Sequence, residues 1–355
     1  IRLARDVTTN QATYVQLLNK QQELNIMKAS AQGNVRIVDH AFVPELPVAP
    51  RKTLITLLSA LVAGALASVW CLFRENTRQG ITSSDEIEAL DLEVSALVPY
   101  SKIQQKRDTL KRTLTSSNGR SSYLLANENA TDTAVEAIRA LRTNIYFSML
   151  DAKNNVLMIT GAAPEAGKSF ISSNLATVMA QSGKKVLLID ADMRKGYLEQ
   201  LFSTHVAPGL SELLSGEASP VEAIQQTGIE NLFFISHGNY TQSSSELLMN
   251  KRLGDLIEQA SKRYDYVIID TPPVLAVTDA AIVGQHVGMT LMVARYGYTT
   301  VQDLDNAARR LVQSNINIKG VILNGIKRDA FNSYNCYSYG SYTAGSDKKA
   351  AKSKG

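Results

Sequence analysis

Cysteine is almost absent from this sequence, and the two that occur, Cys71 and Cys336, lie far apart in unlike surroundings. That excludes a disulfide framework and any cysteine-based metal site. An excess of one charge is also missing: 37 basic against 33 acidic residues leave a net +4. No global field therefore argues for nucleic acid as the principal partner. The last stretch, 329–355, has almost no aliphatic side chains, so it cannot build a core and reads as a tail.

What is present is a chain of 355 residues, 45% apolar, enough for one large globular domain and smaller pieces. It opens at Ile1 on a polar, helix-compatible stretch to about Ala31 and reads as part of something longer. Residues 54–73 carry no charge and are mostly apolar, bounded by Arg51 and Lys52 before and Arg74 and Glu75 after. Twenty such residues at 1.5 Å each match a bilayer core, and Trp70 near one end suits a lipid interface. The internal position excludes a signal peptide. Flanking charge does not decide orientation. The nucleotide site described next places 74–355 in the cytoplasm and 1–53 on the external side.

Ahead of the span, 34–39 has the look of a short strand, and Pro44, Pro47 and Pro50 follow at intervals of three. That period suits a stiff polyproline II lead or an ordinary proline-rich linker equally. Behind it, 74–130 mixes charge, Ser and Thr with apolar patches such as 90–98 and reads as a juxtamembrane connector with a little local structure. Ala134, Val135, Ile138 and Leu141 predict a helix over 131–150 that opens the globular domain, 131–328. Apolar runs at 156–160, 186–190, 232–236, 266–270, 290–295 and 320–324 then alternate with amphipathic segments. The expectation is an α/β domain: a doubly wound parallel sheet with helices on both faces and ligands at the strands' carboxyl ends.

The first run enters Gly161, Ala162, Ala163, Pro164, Glu165, Ala166, Gly167, Lys168 and Ser169, and a helix follows from Phe170 to about Ser182. Strand, tight loop and helix are the setting of a phosphate loop. Its amides and the helix N-terminus face phosphate, Lys168 neutralises charge, and Ser169 can ligate Mg²⁺. The common pattern has its first glycine where this chain has Ala162, and Gly161 stands one residue earlier. A second run ends in Asp190-Ala-Asp192-Met-Arg194, and alternate spacing aims the two carboxylates alike if the strand persists. A third ends in Asp270-Thr-Pro-Pro273, the form of a Mg²⁺-water ligand. Any one acid could cap a helix, but three beside one loop point to phosphoryl chemistry.

These motifs resemble the bacterial tyrosine kinases, specifically the polysaccharide co-polymerase autokinases of the Wzc type. The resemblance covers nearly the whole chain, including the proline-spaced lead and the span. It implies an ATP-dependent protein-tyrosine autokinase with Mg²⁺, anchored in the bacterial inner membrane with residues before the span periplasmic. Lys168 would bridge the transferable phosphates, Ser169 and Asp192 would hold Mg²⁺ directly and Asp270 through water, and Asp190 would accept the tyrosine proton. Asn324 is similar to an adenine-contacting asparagine, though a strand-end asparagine is commonly a turn residue. Glu136, Arg139 and Arg142, spaced by three, fall on one part of a helix. That is a solvated face on spacing alone, and a ring-forming subunit contact by the resemblance.

Tyr334, Tyr337, Tyr339 and Tyr342 crowd the tail and become the implied phosphate acceptors, taken from a neighbouring copy. Tyr197 matches an internal regulatory phosphotyrosine. Polysaccharide export machinery and a cognate tyrosine phosphatase are the implied partners. A partition or division-site ATPase is the rival, but that class has an extra lysine where this chain has Ala163. A nucleotide-sensing export scaffold is the other reading, and phosphate on tyrosine separates the two.

Overall fold

The computed structural model describes residues 2–31, 52–76, 80–101, 103, 124–241, 243–327 and 331. The chain divides into two units, Ile1–Leu72 and Phe73–Gly355. In the first, the polar opening forms one helix, Arg2–Ala31, with Lys28 in its last turn where a cation complements the helix dipole. The helix Lys52–Asn76 carries the apolar stretch. Over Leu54–Cys71 its mean hydropathy is 2.1 and none of that window is buried, so it is long and apolar enough to cross a membrane. The strand expected at 34–39, the three spaced prolines and the four tail tyrosines lie outside the described residues.

Among the described residues the second unit is built on eight strands: β1 Val94–Pro99, β2 Val156–Gly161, β3 Val186–Asp190, β4 Gln225–Gln226, β5 Leu232–Ile235, β6 Tyr266–Asp270, β7 Met289–Arg295 and β8 Ile318–Ile326. They lie in the order β1-β8-β7-β2-β6-β3-β5-β4. Every neighbouring pair is parallel except β4 with β5. All residues of β2 and β3 are buried, because a central parallel strand is covered on both faces and reads as an unbroken apolar run.

Leu157 and Ile159 point to one face, where they join Val135, Ile138 and Leu141 of the helix Thr133–Ser148 and Ile171 and Leu175 of the helix Lys168–Gln181. Val156 and Met158 point to the other, with Leu253 and Leu256 of Lys251–Arg263 and Leu304 and Leu311 of Val301–Gln313. The chain leaves β2 for β3 across β6, and leaves β6 for β7 across β2. These opposite departures open a crevice at the carboxyl ends of β2 and β6, where such sheets take ligands.

The sheet takes in more of the chain than the expected 131–328. Residues 94–99, within the stretch read as a connector, form the edge strand β1 beside β8. Asn144 of Thr133–Ser148 donates to the Ser95 carbonyl at 3.0 Å. Ile81, Ile87 and Leu125 are also fully buried. An edge strand has one paired side, so β1 needs no continuous apolar run, and only Val98 and Pro99 are buried in it.

Candidate active site

The phosphate loop is shaped by two glycines with different duties. Gly167 caps the helix Lys168–Gln181 at φ +92°, a conformation that costs other residues energy, and a Cβ there would stand 2.0 Å from Asn324 Nδ2. Gly161 is a matter of space. Its Cβ would meet the Val293 carbonyl oxygen at 2.7 Å and the Lys168 stem at 3.4 Å. The lysine side chain thus passes over Gly161, while Ala162, at the position of the usual glycine, is small enough to be fully buried in the core. Ala166 is buried and Phe170 is partly buried against the same apolar cluster. Pro164 and Glu165 are exposed.

Lys168 is buried, and that burial lowers its pKa, with Asp270 and Asp192 opposing the shift. Asp270 and Asp190 are register partners on β6 and β3, so two buried carboxylates end adjacent strands. Ser169 Oγ donates to one Asp270 oxygen at 2.6 Å and Ser172 Oγ to the other at 2.8 Å. Burial pushes Asp270 up to about 6 in spite of the Ser169 hydrogen bond and the Lys168 charge. Burial, then the charge of Asp270, raises Asp190 well above the ordinary carboxylate range, although the Asp192 N–H donates to it at 3.0 Å.

That last bond corrects one expectation. The extended spacing does not persist past Asp190: an aspartate side chain accepting from the amide two residues on makes a turn. Asp192 therefore stands on the wall of a cavity, where its Oδ1 accepts from Lys195 N–H at 2.9 Å, while Asp190 is buried. A Cβ on Gly196, which also lines the cavity, would come within 2.7 Å of Asp190 Oδ2.

The cavity is about 550 Å³. Lys168, Ser169, Asp192, Arg194 and Tyr197 line it together with Pro272, Pro273, Ala276 and Val277. Arg194 Nε lies 3.6 Å from Asp279, a fully buried carboxylate that accepts hydrogen bonds from the Ser244 and Ser245 hydroxyls. Asn324 is not in the lining; its Nδ2 donates to the Ala166 carbonyl at 3.0 Å. Arg295 Nη1 donates to the Glu165 carbonyl at 3.1 Å. Sequence reading missed Arg295 and Asp279. Arg295 stands next to Asn324 in register at the carboxyl end of β7, a neighbourhood that pairing of the strands creates and local spacing does not show.

On Thr133–Ser148, Glu136 pairs with Arg139, which also donates to the Ala130 carbonyl at 2.9 Å. Arg142 reaches the Val178 carbonyl at 3.4 Å. Glu136 is exposed and the two arginines are half-buried.

A phosphate loop at a helix N-terminus, flanked by acid-ended parallel strands, defines a nucleotide-binding fold of the phosphate-loop ATPase class. Comparison with known proteins narrows the class. An AAA domain model matches residues 156–319, and the GNVR model, a G-rich domain, matches residues 1–76. The tyrosine-protein kinase wzc of Salmonella typhi is 48% identical over 349 residues, 98% of this chain and 48% of its own length. The kinase domain of Escherichia coli tyrosine kinase ETK superposes with a TM-score of 0.65 at 44% identity, covering 70% of this chain and 96% of that domain. The BceF tyrosine kinase domain is 45% identical at the same TM-score, covering 70% and 100%. The chain belongs to the bacterial tyrosine kinases of the Wzc/Etk type. It spans about half the length of the curated relatives it matches.

Proposed function

We propose that this chain transfers the γ-phosphoryl group of ATP to tyrosine, with Tyr334, Tyr337, Tyr339 and Tyr342 of another copy's tail as the first acceptors. The observation that carries this reading is the convergence of Lys168, Ser169 and Asp192 on one cavity, with the Asp190 and Asp270 pair ending the two adjacent strands. Phosphoryl transfer asks for positioning and charge neutralisation more than for covalent help.

Lys168 neutralises the transferable phosphates, and its burial keeps water from screening it. Ser169, Asp192 and Asp270 supply only oxygen donors, the set that suits Mg²⁺. Among the described residues no three His, Cys, Asp or Glu side chains form a metal cluster by themselves. Mg²⁺ fits such a site because it takes one or two carboxylates and fills its shell with phosphate oxygens and water. Bound there, the ion would neutralise charge that develops between the phosphates. Asp190, with its raised pKa, is the proposed acceptor of the phenol proton.

In the same reading, 54–73 anchors the chain in the inner membrane with the kinase cytoplasmic and the preceding residues periplasmic. Glu136, Arg139 and Arg142 join copies into a ring that presents one tail to the next active site. Polysaccharide export machinery is the partner, a tyrosine phosphatase resets the tail, and Tyr197 tunes activity. Each phosphate adds roughly −1.5 to −2 charge, so a phosphorylated cluster would loosen the ring by repulsion. The test is incubation of the chain with Mg²⁺ and ATP, then mass spectrometry of the tail. Phosphate on the tail that vanishes in Lys168→Met supports the reading. ATP hydrolysis without modified tyrosine overturns it in favour of a switch ATPase or a nucleotide-sensing scaffold.

A further inference from the structure

One wall of the cavity has no work in phosphate binding. Pro272, Pro273, Ala276 and Val277, all with apolar side chains, line it a few residues beyond Asp270. The wall is rigid for reasons visible in its backbone. Thr271 N–H donates to the Ile159 carbonyl at 3.1 Å and Val274 N–H to the Gly161 carbonyl at 2.9 Å. Arg310 Nη1 holds the Val274 carbonyl at 2.8 Å, and two consecutive prolines fix φ between these ties. A stiff apolar shelf beside a polar floor is the build of a site that orients a flat, amphipathic group.

The position of the shelf says which group. Arg295 and Asn324 grip the loop from the ends of β7 and β8, and neither lines the cavity. The cavity instead shares its walls with Asp192 and lies at the β3 and β6 ends, where Asp190 and Asp270 stand. The reacting phosphorus has to meet these acids, so the end of the nucleotide that enters this cavity is the terminal phosphate and not the base.

We propose that Pro273, Ala276 and Val277 seat the phenol ring of the acceptor tyrosine and aim its hydroxyl at the floor formed by Lys168, Ser169 and Asp192. This rests on the tyrosine-kinase reading and adds where the acceptor binds. In the transfer, the bond from the γ phosphorus to the bridging oxygen breaks and its electron pair leaves on ADP. A bond forms from that phosphorus to the phenol oxygen, whose proton passes to the neighbouring carboxylate. The shelf favours an aromatic ring, whose flat apolar face it can cover, over the short side chains of Ser and Thr, which offer no such face.

The test uses the full chain and a synthetic peptide of tail residues 332–343 as acceptor. Ala276 is exposed at the cavity, so Ala276→Glu puts a charge on the shelf without disturbing the core. The expected result is a rise of about tenfold or more in KM for the peptide, with ATP affinity retained. Val277→Asp should act the same way and Val277→Leu should restore the peptide KM. Independently of any protein variant, the peptide with every Tyr replaced by Phe should inhibit competitively, and the one with every Tyr replaced by Ala should not. An unchanged peptide KM in both charged variants, or equal inhibition by the Phe and Ala peptides, overturns the seat alone. A loss of ATP affinity with unchanged peptide KM also overturns it and gives the shelf to the nucleotide base. No phosphotyrosine from the unaltered chain removes the kinase reading and the seat with it.

Discussion

The two flanks of the phosphate loop are built on different principles. At the ends of β6 and β3, the flank that bears the cavity, Asp270 and Asp190 are held in surroundings that raise both pKa values, beside a lysine whose own is lowered. At the ends of β7 and β8, Arg295 and Asn324 make ordinary hydrogen bonds to loop carbonyls. Perturbed titration on one side and plain satisfaction on the other mark which flank is arranged for chemistry and which for holding still. A third place shows that burial alone is not the signal. Burial would raise Glu212, but N–H donors from Gly209 and Asn239 outweigh it and its pKa ends below the ordinary value.

The comparison breaks most visibly at Lys168. Lys168→Met should lower tail phosphorylation by at least about a hundredfold, the scale of removing one preorganised charge from a reacting phosphate. The fold should survive, because a methionine of similar length fills the same space and leaves no charge there to desolvate. Tail phosphorylation and the urea unfolding midpoint, each measured for the variant beside the unaltered chain, check both parts. Retained transfer would place the working charge elsewhere on the cavity wall.

Asp270 tests the chemical flank through pH. The folded state holds its proton at about 6 against the ordinary 3.8, so protonation favours folding. Stability is therefore fully present below about 4, falls as pH rises to about 6, and then levels, a loss of about 3 kcal/mol from this group. Asp190, raised in the same direction, adds to that slope. Asp270→Asn should flatten it, which urea unfolding of the chain between pH 4 and 7 would read. An unchanged slope would mean that the pair is open to water.

How far this contrast could be read in advance differs by element. The strands β2, β3 and β6 were legible to within a residue because a parallel strand covered on both faces is apolar almost throughout, and the terminal acids of β3 and β6 came with them. The edge strand β1 was not, since one paired side leaves a mixed composition. The turn that separates Asp192 from Asp190 was hidden because a strand pattern does not reveal where an Asx hydrogen bond ends it. Asp279 and Arg295 act on residues far away in the chain, and local spacing holds no trace of such contacts.

Gly167 is the hinge between the flanks. Gly167→Ala has to place a Cβ at φ +92° against Asn324 Nδ2. The expected cost is about 1–3 kcal/mol, split between backbone strain and the lost brace. It should appear as a lower unfolding midpoint, and as weaker nucleotide binding because the loop amides move with it. A loss of stability with unaltered nucleotide affinity would show the loop re-forming around the bound phosphates.

The smallest effect is the most informative about the bracing flank. Asn324→Ala removes one partly buried hydrogen bond to Ala166, worth about 0.5–1.5 kcal/mol. If Asn324 acts only as a brace, affinity for ATP and GTP should fall together by the same few-fold factor, because both present the same phosphates to the same loop. If instead it recognises adenine, ATP alone should weaken and the ATP-to-GTP preference should shrink. Its amide is occupied by the loop carbonyl at 3.0 Å, and the cavity is lined without it, so the expected outcome is the parallel fall. Equilibrium titrations of both nucleotides against Asn324→Ala and the unaltered chain decide between them.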